Sequence, residues 1–368
     1  SFKVTFFFNS QQTLPLALKK VLLLNDYNLD EDQIRHAEGR LPNHLIFGLD
    51  KFLDFNLEFT SVRLWEPGIL YELDNFFIRH KPHIPIGRLE TQFKALRKLN
   101  EVDAILSLKE TESSFLHYLR ALGFLKIPVV TLVHHSQNIG RFNKLKSPIF
   151  KLINQGSDAI LIFSERVKIL SGEDKINVVR WGPDLAYYDR LNPSFGNKIM
   201  TAGRSGRDFG TFAKACIESK AYAKVMCLDY DKSPVFDTCN PYVDYEVGLQ
   251  SQHEICLKLK DALAIAIPIQ DQPFSCGLTS FCDPLGLGKA VLVPDNPGID
   301  IDVEELGIGK IVYPNNHEGW SKAISWVQKN KEKTKEMGKQ ARHFAEANYN
   351  SKIFVSQVSE VLHHVIAK

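Results

Sequence analysis

Residues 274 to 298 read Phe-Ser-Cys-Gly-Leu-Thr-Ser-Phe-Cys-Asp-Pro-Leu-Gly-Leu-Gly-Lys-Ala-Val-Leu-Val-Pro-Asp-Asn-Pro-Gly, and no other stretch constrains the fold as tightly. Upstream, Ala262 to Ile269 is an apolar, β-compatible run ended by Pro268 and a polar loop. Downstream, Ala290 to Val293 is a second short apolar run, again closed by a proline. Between them, Thr279 or Ser280 is placed to cap a short helix that Gly286 and Gly288 bring to a stop. Strand, loop, helix, strand is one βαβ unit of a parallel sheet. Its loop would bring the N–H groups of Gly277, Leu278, Thr279 and Ser280 to a helix N-terminus, a natural seat for a phosphate. Asp283, one turn further, would face a neighbouring sugar hydroxyl. The same residues also fit a tight turn followed by a solvated carboxylate, because Gly-rich βα loops are common.

The alternation of short apolar runs with helical stretches continues on both sides. Lys3 to Phe8 suits a buried first strand rather than a secretory leader, and Leu14 to Leu24 suits a helix bearing Lys19 and Lys20. Leu45 to Phe55 carries apolar residues at helical spacing. Glu58–Leu64, Val102–Leu106, Pro128–Val133, Asp158–Ser164 and Ile176–Arg180 read as strands, with a helix over Phe93–Leu99. A break follows at Trp181-Gly182-Pro183-Asp184, and a stretch rich in Pro, Asn, Gly and Tyr to Asn197 reads as a linker. Lys198 to Ala202 restarts the strands and runs into Gly203-Arg204-Ser205-Gly206-Arg207-Asp208. Two arginines on a glycine-rich turn at a strand's carboxyl end suit a diphosphate, which guanidinium groups bind as planar, permanently charged forks. A chain of 368 residues is long for one core and suits two such halves.

Composition narrows the function classes. Hydrophobic content of 44% and charged content of 24% are those of a soluble globular protein. A formal charge of +2 argues against general nucleic-acid binding, which needs a concentrated basic face. The 6 cysteines, Cys216, Cys227, Cys239, Cys256, Cys276 and Cys282, form no Cys-x-x-Cys pair and no zinc spacing, so reduced thiols in a cytoplasmic setting are expected. No apolar run approaches the roughly 20 residues of a spanning helix. Residues 140 to 155 stand apart: Arg141, Lys144, Lys146 and Lys151 are interleaved with Phe142, Leu145, Ile149, Phe150, Leu152 and Ile153, with no acid between Ser136 and Ser157. Such a stretch suits an anionic membrane surface, or else an ordinary connecting helix whose lysines face water.

Several of these motifs together resemble the retaining GT-B glycosyltransferases of the family 4 type (glycosyl transferases group 1). Cys276-Gly-Leu-Thr-Ser-Phe-Cys-Asp283-Pro-Leu-Gly-Leu-Gly288-Lys289-Ala-Val resembles that family's donor-site signature, in which two acids lie eight positions apart ahead of a Gly-Lys. Aligned on Gly288-Lys289, Asp283 falls at the second acid, which in the family holds the donor ribose, and Ser275 replaces the first. Thr131-Leu-Val-His134 matches the family's Thr-x-x-His strand end, with His134 beside the donor sugar and His135 following it. Gly203-Arg204, with Arg207 in place of the family's lysine, resembles the pyrophosphate clamp. Gly248-Leu249 falls where the family reads the nucleotide base. The stretch from Gly39 to His44 resembles a displaced version of the family's Gly-x-x-x-His, making Gly39 and His44 cleft candidates with His135 and Ser275.

The resemblance implies a GT-B α/β fold of two Rossmann-like domains facing a cleft. Residues 1–184 would form the acceptor domain, 198–345 the nucleotide-sugar donor domain, and 346–368 a C-terminal helix returning to the first. It implies transfer of a sugar from a UDP- or GDP-sugar to an acceptor hydroxyl on a glycan, lipid-linked sugar or small molecule, with retention. His134, Arg204 and Arg207 would act at the reacting centre. Gly203, Gly248, Gly277, Leu278, Thr279, Ser280 and Asp283 would hold the donor. No resident cofactor and no metal are implied, because arginines and a helix N-terminus would stabilise the leaving diphosphate. The implied setting is cytoplasmic, peripheral on the inner face of a membrane through 140–153. A sugar-nucleotide epimerase, a binding-only subunit and a membrane-assembly subunit share these features, the binding-only subunit because Ser275 breaks the acidic pair.

Overall fold

Strands form where the chain offers short runs that are apolar on both faces. Val129 to Val133 and Ala159 to Ile162 are buried throughout, as expected where helices cover both sides of a parallel sheet. The computed structural model describes residues 17–27, 29–62, 68, 70–80, 85–137, 143–204, 206–237, 240–271, 275–313 and 316–368. In chain order the first half forms β1 (Lys19–Leu24), α1 (Leu29–Ala37), β2 (Leu57–Ser61), α2 (Tyr71–His80), α3 (Leu89–Arg97), β3 (Ala104–Ser107), α4 (Ser114–Ala121), β4 (Val129–Val133), α5 (Asn143–Gln155), β5 (Ala159–Ile162) and β6 (Ile176–Val178). These strands make one parallel sheet in the order β2-β1-β3-β4-β5-β6.

The second half repeats the plan with α6 (Leu185–Arg190), β7 (Ile199–Ala202), α7 (Phe209–Glu218), β8 (Ala223–Cys227), β9 (Val243–Val247), α8 (Gln252–Leu259), β10 (Ala264–Ala266), α9 (Leu278–Leu287), β11 (Ala290–Pro294), β12 (Gly309–Val312), α10 (His317–Lys329), α11 (Lys331–Asn348) and α12 (Ser351–Ile366). Its strands form a second parallel sheet, ordered β12-β11-β10-β7-β8-β9. In each sheet the order reverses beside the first strand of the half, and such switch points are where open α/β sheets take their ligands. This is the GT-B arrangement of two Rossmann-like halves.

α12 belongs to the core of the opposite half. Its Phe354, Val355, Val358, Leu362 and Val365 pack with Val21, Leu106 and Leu161 of the first sheet. The chain crosses at Trp181 to Asp184 and returns at Tyr349 to Ser351, and the two crossings touch. Ser351 N donates to Pro183 O at 3.0 Å, and a Cβ on Gly182 would lie 2.3 Å from the Tyr349 carbonyl.

Two expected elements are corrected. The helix expected over Leu14–Leu24 is strand β1 over Lys19–Leu24, because Val21 to Leu24 are buried on both faces of the sheet, and a short apolar run carries no period to tell strand from helix. The helix suggested over Leu45–Phe55 is two short 3-10 turns, Asn43–Ile46 and Phe52–Phe55, separated where Phe47 and Gly48 take φ of 55° and 70°. The strand expected over Lys3–Phe8 lies outside the described residues, as does Cys239. The remaining 5 cysteines form no disulfide. Among the described residues no helix is long and apolar enough to cross a membrane.

Candidate functional site

Two cavities open between the halves and share a neck. The larger, about 1070 Å³, is walled by the carboxyl ends of β7 and β9, by α8 and by the start of α9, with α1 opposite. The smaller, about 480 Å³, lies among the carboxyl ends of β1, β3, β4 and β5 and faces the start of α9 from the other side. Tyr27, Leu45, Cys276, Gly277 and Thr279 line both.

The N-terminus of α9 sits at this neck. Its N-cap is Gly277, in place of the side-chain cap expected from Thr279 or Ser280. Gly277 takes φ of +85°, and a Cβ there would lie 2.4 Å from Ile269 Cδ1, so both conformation and space require glycine. With no hydroxyl folded back over the first turn, Thr279 and Ser280 are left on the wall of the larger cavity. Leu278 faces the smaller one and touches the apolar cores of both halves. Ser275 also lines the smaller cavity, packed so closely on Gly298 that a Cβ there would lie 2.9 Å from its own.

Asp283 lies one turn into α9, 4% exposed, on the wall of the larger cavity. Tyr188 OH donates to its Oδ1 at 2.7 Å, Gln252 Nε2 at 3.0 Å and Cys256 Sγ at 3.5 Å. All three bonds fall on Oδ1. Burial pushes the carboxyl up to about 6, and these donors act against that rise. The solvated carboxylate that the sequence also allowed is thereby excluded.

The loop from Gly203 to Asp208 follows β7. Arg207 is 8% exposed, and its Nη2 donates to Ser280 Oγ at 2.8 Å, tying the loop to the first turn of α9. A Cβ on Gly203 would lie 2.5 Å from Arg207 Nε, so glycine is what lets that side chain lie over the loop. Arg204 is exposed; its Nη2 donates to Gln250 O at 2.7 Å and its carbonyl accepts from Tyr230 OH at 2.9 Å. Gly248, at φ +136°, turns the chain so that Leu249 and Gln250 reach the cavity wall.

His134 ends β4 on the wall of the smaller cavity. Its Nε2 donates to Leu108 O at 2.8 Å, and its ring meets Phe163 edge-on at 5.3 Å. Burial lowers its pKa, and that of the more exposed His135 beside it, because it disfavours the charged imidazolium. His44 is corrected. It is fully buried, lines neither cavity, and accepts the Asp184 N–H on Nδ1 at 3.2 Å while Tyr188 stacks on it. Burial drives its pKa down to about 3. It props the crossing between the halves rather than the cleft. Gly39, at φ +73°, also lines neither cavity, although its neighbours Arg40 and Leu41 line the larger.

Sequence reasoning missed Glu110. It follows β3, lines the smaller cavity and is 8% exposed; burial pushes it up to about 7. Ser114 Oγ donates to Glu110 O at 3.1 Å and to Thr111 O at 3.0 Å, and Ser107 Oγ donates to Lys109 O at 3.1 Å, which fixes the loop. The signal was available as a charged cluster, Lys109 to Glu112, directly beyond a strand's carboxyl end. Asp26 and Tyr27 were missed because β1 itself was misplaced. Among the described residues no group of His, Cys, Asp and Glu side chains is arranged to hold a metal ion.

No family model matches the sequence, and no curated protein does. Solved structures do. Anabaena HepE in complex with UDP superposes with a TM-score of 0.66 at 13% identity, covering 94% of this chain and 100% of that one. Sucrose-phosphate synthase from Thermosynechococcus elongatus gives 0.66 at 14% identity, covering 95% and 99%. WaaG, a glycosyltransferase involved in lipopolysaccharide biosynthesis, gives 0.54 at 11%, covering 93% and 99%. At these identities the likeness establishes the fold, end to end.

Proposed function

We propose that this chain is a glycosyltransferase that takes a sugar from a nucleoside-diphosphate sugar and joins it to an acceptor hydroxyl, with retention at the anomeric carbon and without a metal. The carrying observation is the larger cavity, where the start of α9, Gly203, Arg204, Arg207 and the buried Asp283 meet beside the neck that opens on the smaller one. The nucleotide takes the larger cavity, with its base against Leu249 and Gln250 and its ribose hydroxyls on Asp283. Its diphosphate lies at the first turn of α9, where the helix dipole and unbonded N–H groups favour negative charge. Arg204 and Arg207 neutralise the charge that builds on the diphosphate as the sugar leaves. The sugar points through the neck toward His134, Ser275 and Glu110, and the acceptor enters from the smaller cavity. The donor is a UDP- or GDP-sugar; a UDP complex of the structurally similar HepE supports the first.

The product is a glycan or glycolipid, and the setting is the cytoplasmic side of a membrane. There α5 offers the exposed Lys146 and Lys151 to anionic lipid. Ser275, in place of a second acid, favours one alternative, a chain that binds nucleotide sugar without transferring it. Thermal shift with UDP, GDP and their sugars tests the binding, because specific ligands raise apparent stability. Mass spectrometry of acceptor mixtures then separates transfer from binding alone. A chain stabilised by no nucleotide diphosphate is not this enzyme.

A further inference from the structure

The two cavities that meet at Cys276, Gly277 and Thr279 differ in charge. The larger carries Arg35, Arg40, Arg204 and Arg207 with three acids among the described residues, Asp32, Glu254 and Asp283. Arg35 is paired with Asp32 at 3.2 Å and Arg40 with Glu38, while Arg204 and Arg207 donate to the neutral Gln250 and Ser280. On the smaller, the only lysine or arginine among the described residues is Lys109. Its ammonium is held between two acids, 2.7 Å from Asp26 Oδ2 and 3.5 Å from Glu112 Oε1. Glu110 adds another carboxyl to the same wall, and burial there works against a positive charge on His134 and His135. The rings of Phe47, Trp181 and Phe163 line the same cavity, Phe163 stacked on Trp181 at 5.5 Å and Trp181 on Phe47 at 6.0 Å.

Resting on the glycosyltransferase reading, we infer that the acceptor group entering the smaller cavity is an uncharged, hydroxyl-rich sugar rather than a phosphorylated or carboxylated one. A phosphate there would face Asp26 with a lysine already committed to two carboxylates, and such like-charge juxtaposition is how a site rejects a wrong partner. A neutral sugar meets complementary groups instead. Its hydroxyls find a carboxyl and two imidazoles, which donate and accept, and its C–H face finds the aromatic wall. The arginines are gathered in the cavity that takes the diphosphate.

The test offers the full chain UDP-glucose or GDP-mannose with matched acceptors: glucose and glucose 6-phosphate, fructose and fructose 6-phosphate, mannose and mannose 6-phosphate. Products are counted by mass spectrometry. The neutral member of a pair should be glycosylated at least about tenfold faster than its phosphate ester, the scale on which charge mismatch discriminates between partners. Transfer that favours the phosphate esters, or reaches none of the neutral sugars, overturns the inference. Asp26→Asn, at a partly exposed position, releases Lys109 from one of its two acids and should raise the phosphate ester relative to the sugar. An unmoved ratio in that variant also counts against the inference. Stabilisation by UDP or GDP, measured on the same samples, keeps the outcomes apart. If it is absent the glycosyltransferase reading has failed; if it is present with phosphate preference, only the acceptor class is wrong.

Discussion

At the scale of single residues, Asp283 and Arg207 carry the account. Asp283→Asn keeps the shape but weakens hydrogen bonds from ribose hydroxyls, so donor affinity should fall by roughly 1.5–3 kcal/mol in calorimetry, the range for a charged hydrogen bond. The pH dependence has two opposite parts. The folded carboxyl holds its proton up to about 6, above the ordinary 3.8, so its contribution to stability is full below 3.8 and lost as pH rises through about 6. Donor binding favours the ionised form and should weaken as pH falls through that same value. In Asp283→Asn this part of the profile should flatten; an unchanged profile would take the ribose off Asp283. Of the two arginines, Arg207→Ala should cost more donor affinity than Arg204→Ala, because Arg207 is buried and tied to Ser280 while Arg204 is exposed. Equal losses would contradict that ranking. The sequence singled out Asp283 by its place one turn into a helix and, through the family resemblance, by its alignment on Gly288-Lys289. It misjudged His44, because a histidine near a glycine turn looks the same whether it faces a cleft or is walled in by Trp181 and Tyr188.

At the scale of elements, α5 shows how far periodicity reaches. Among its described side chains, Ile153 is buried, and Ile149, Phe150 and Leu152 are partly buried as the helix packs on α4. Gly156 closes it so tightly that a Cβ would lie 2.0 Å from the His117 carbonyl oxygen. What α5 offers outward is charge, from Lys146 and Lys151. Binding to anionic liposomes should therefore be electrostatic, roughly 1 kcal/mol per lysine, fading with salt. Lys146→Glu with Lys151→Glu should abolish sedimentation with such liposomes; wild-type protein that fails to sediment at low salt would remove the membrane from the account. The helix itself was legible from its pattern, but the partner of its apolar face was not, because that depends on α4 lying alongside. β1 was illegible for a related reason. Val21 to Leu24 has no period, and the strands that flank it, β2 and β3, pair Phe59 and Ala104 with Val21, 38 and 83 residues further along the chain.

At the scale of the molecule, the site exists because the carboxyl ends of strands from both sheets are held around one cleft. Arg180 Nη1 donates to Asp300 Oδ1 at 2.7 Å, Glu165 N to Asp300 Oδ2 at 2.8 Å and Ser164 Oγ to Pro297 O at 2.7 Å, all across the cleft. Beside them the chain crosses twice, at Gly182 and at Tyr349. Gly182→Ala would drive a methyl into the Tyr349 carbonyl, and overpacking of this kind costs about 1–3 kcal/mol. The urea midpoint should drop accordingly, and an unchanged midpoint would show that the crossings do not lean on each other. The alternation of strands and helices made the two α/β halves legible, and the returning helix was expected only from the family resemblance. The arrangement of the two cavities was not, since it depends on how the loops of one sheet meet those of the other. The central claim is that a nucleoside diphosphate lies between these halves. A crystal structure of the chain with UDP tests it most directly. The account predicts the ribose on Asp283, with the diphosphate at the N–H groups of residues 278 to 280 and within reach of Arg207. A nucleotide bound elsewhere, with its ribose far from Asp283 and its phosphates away from α9, would contradict it.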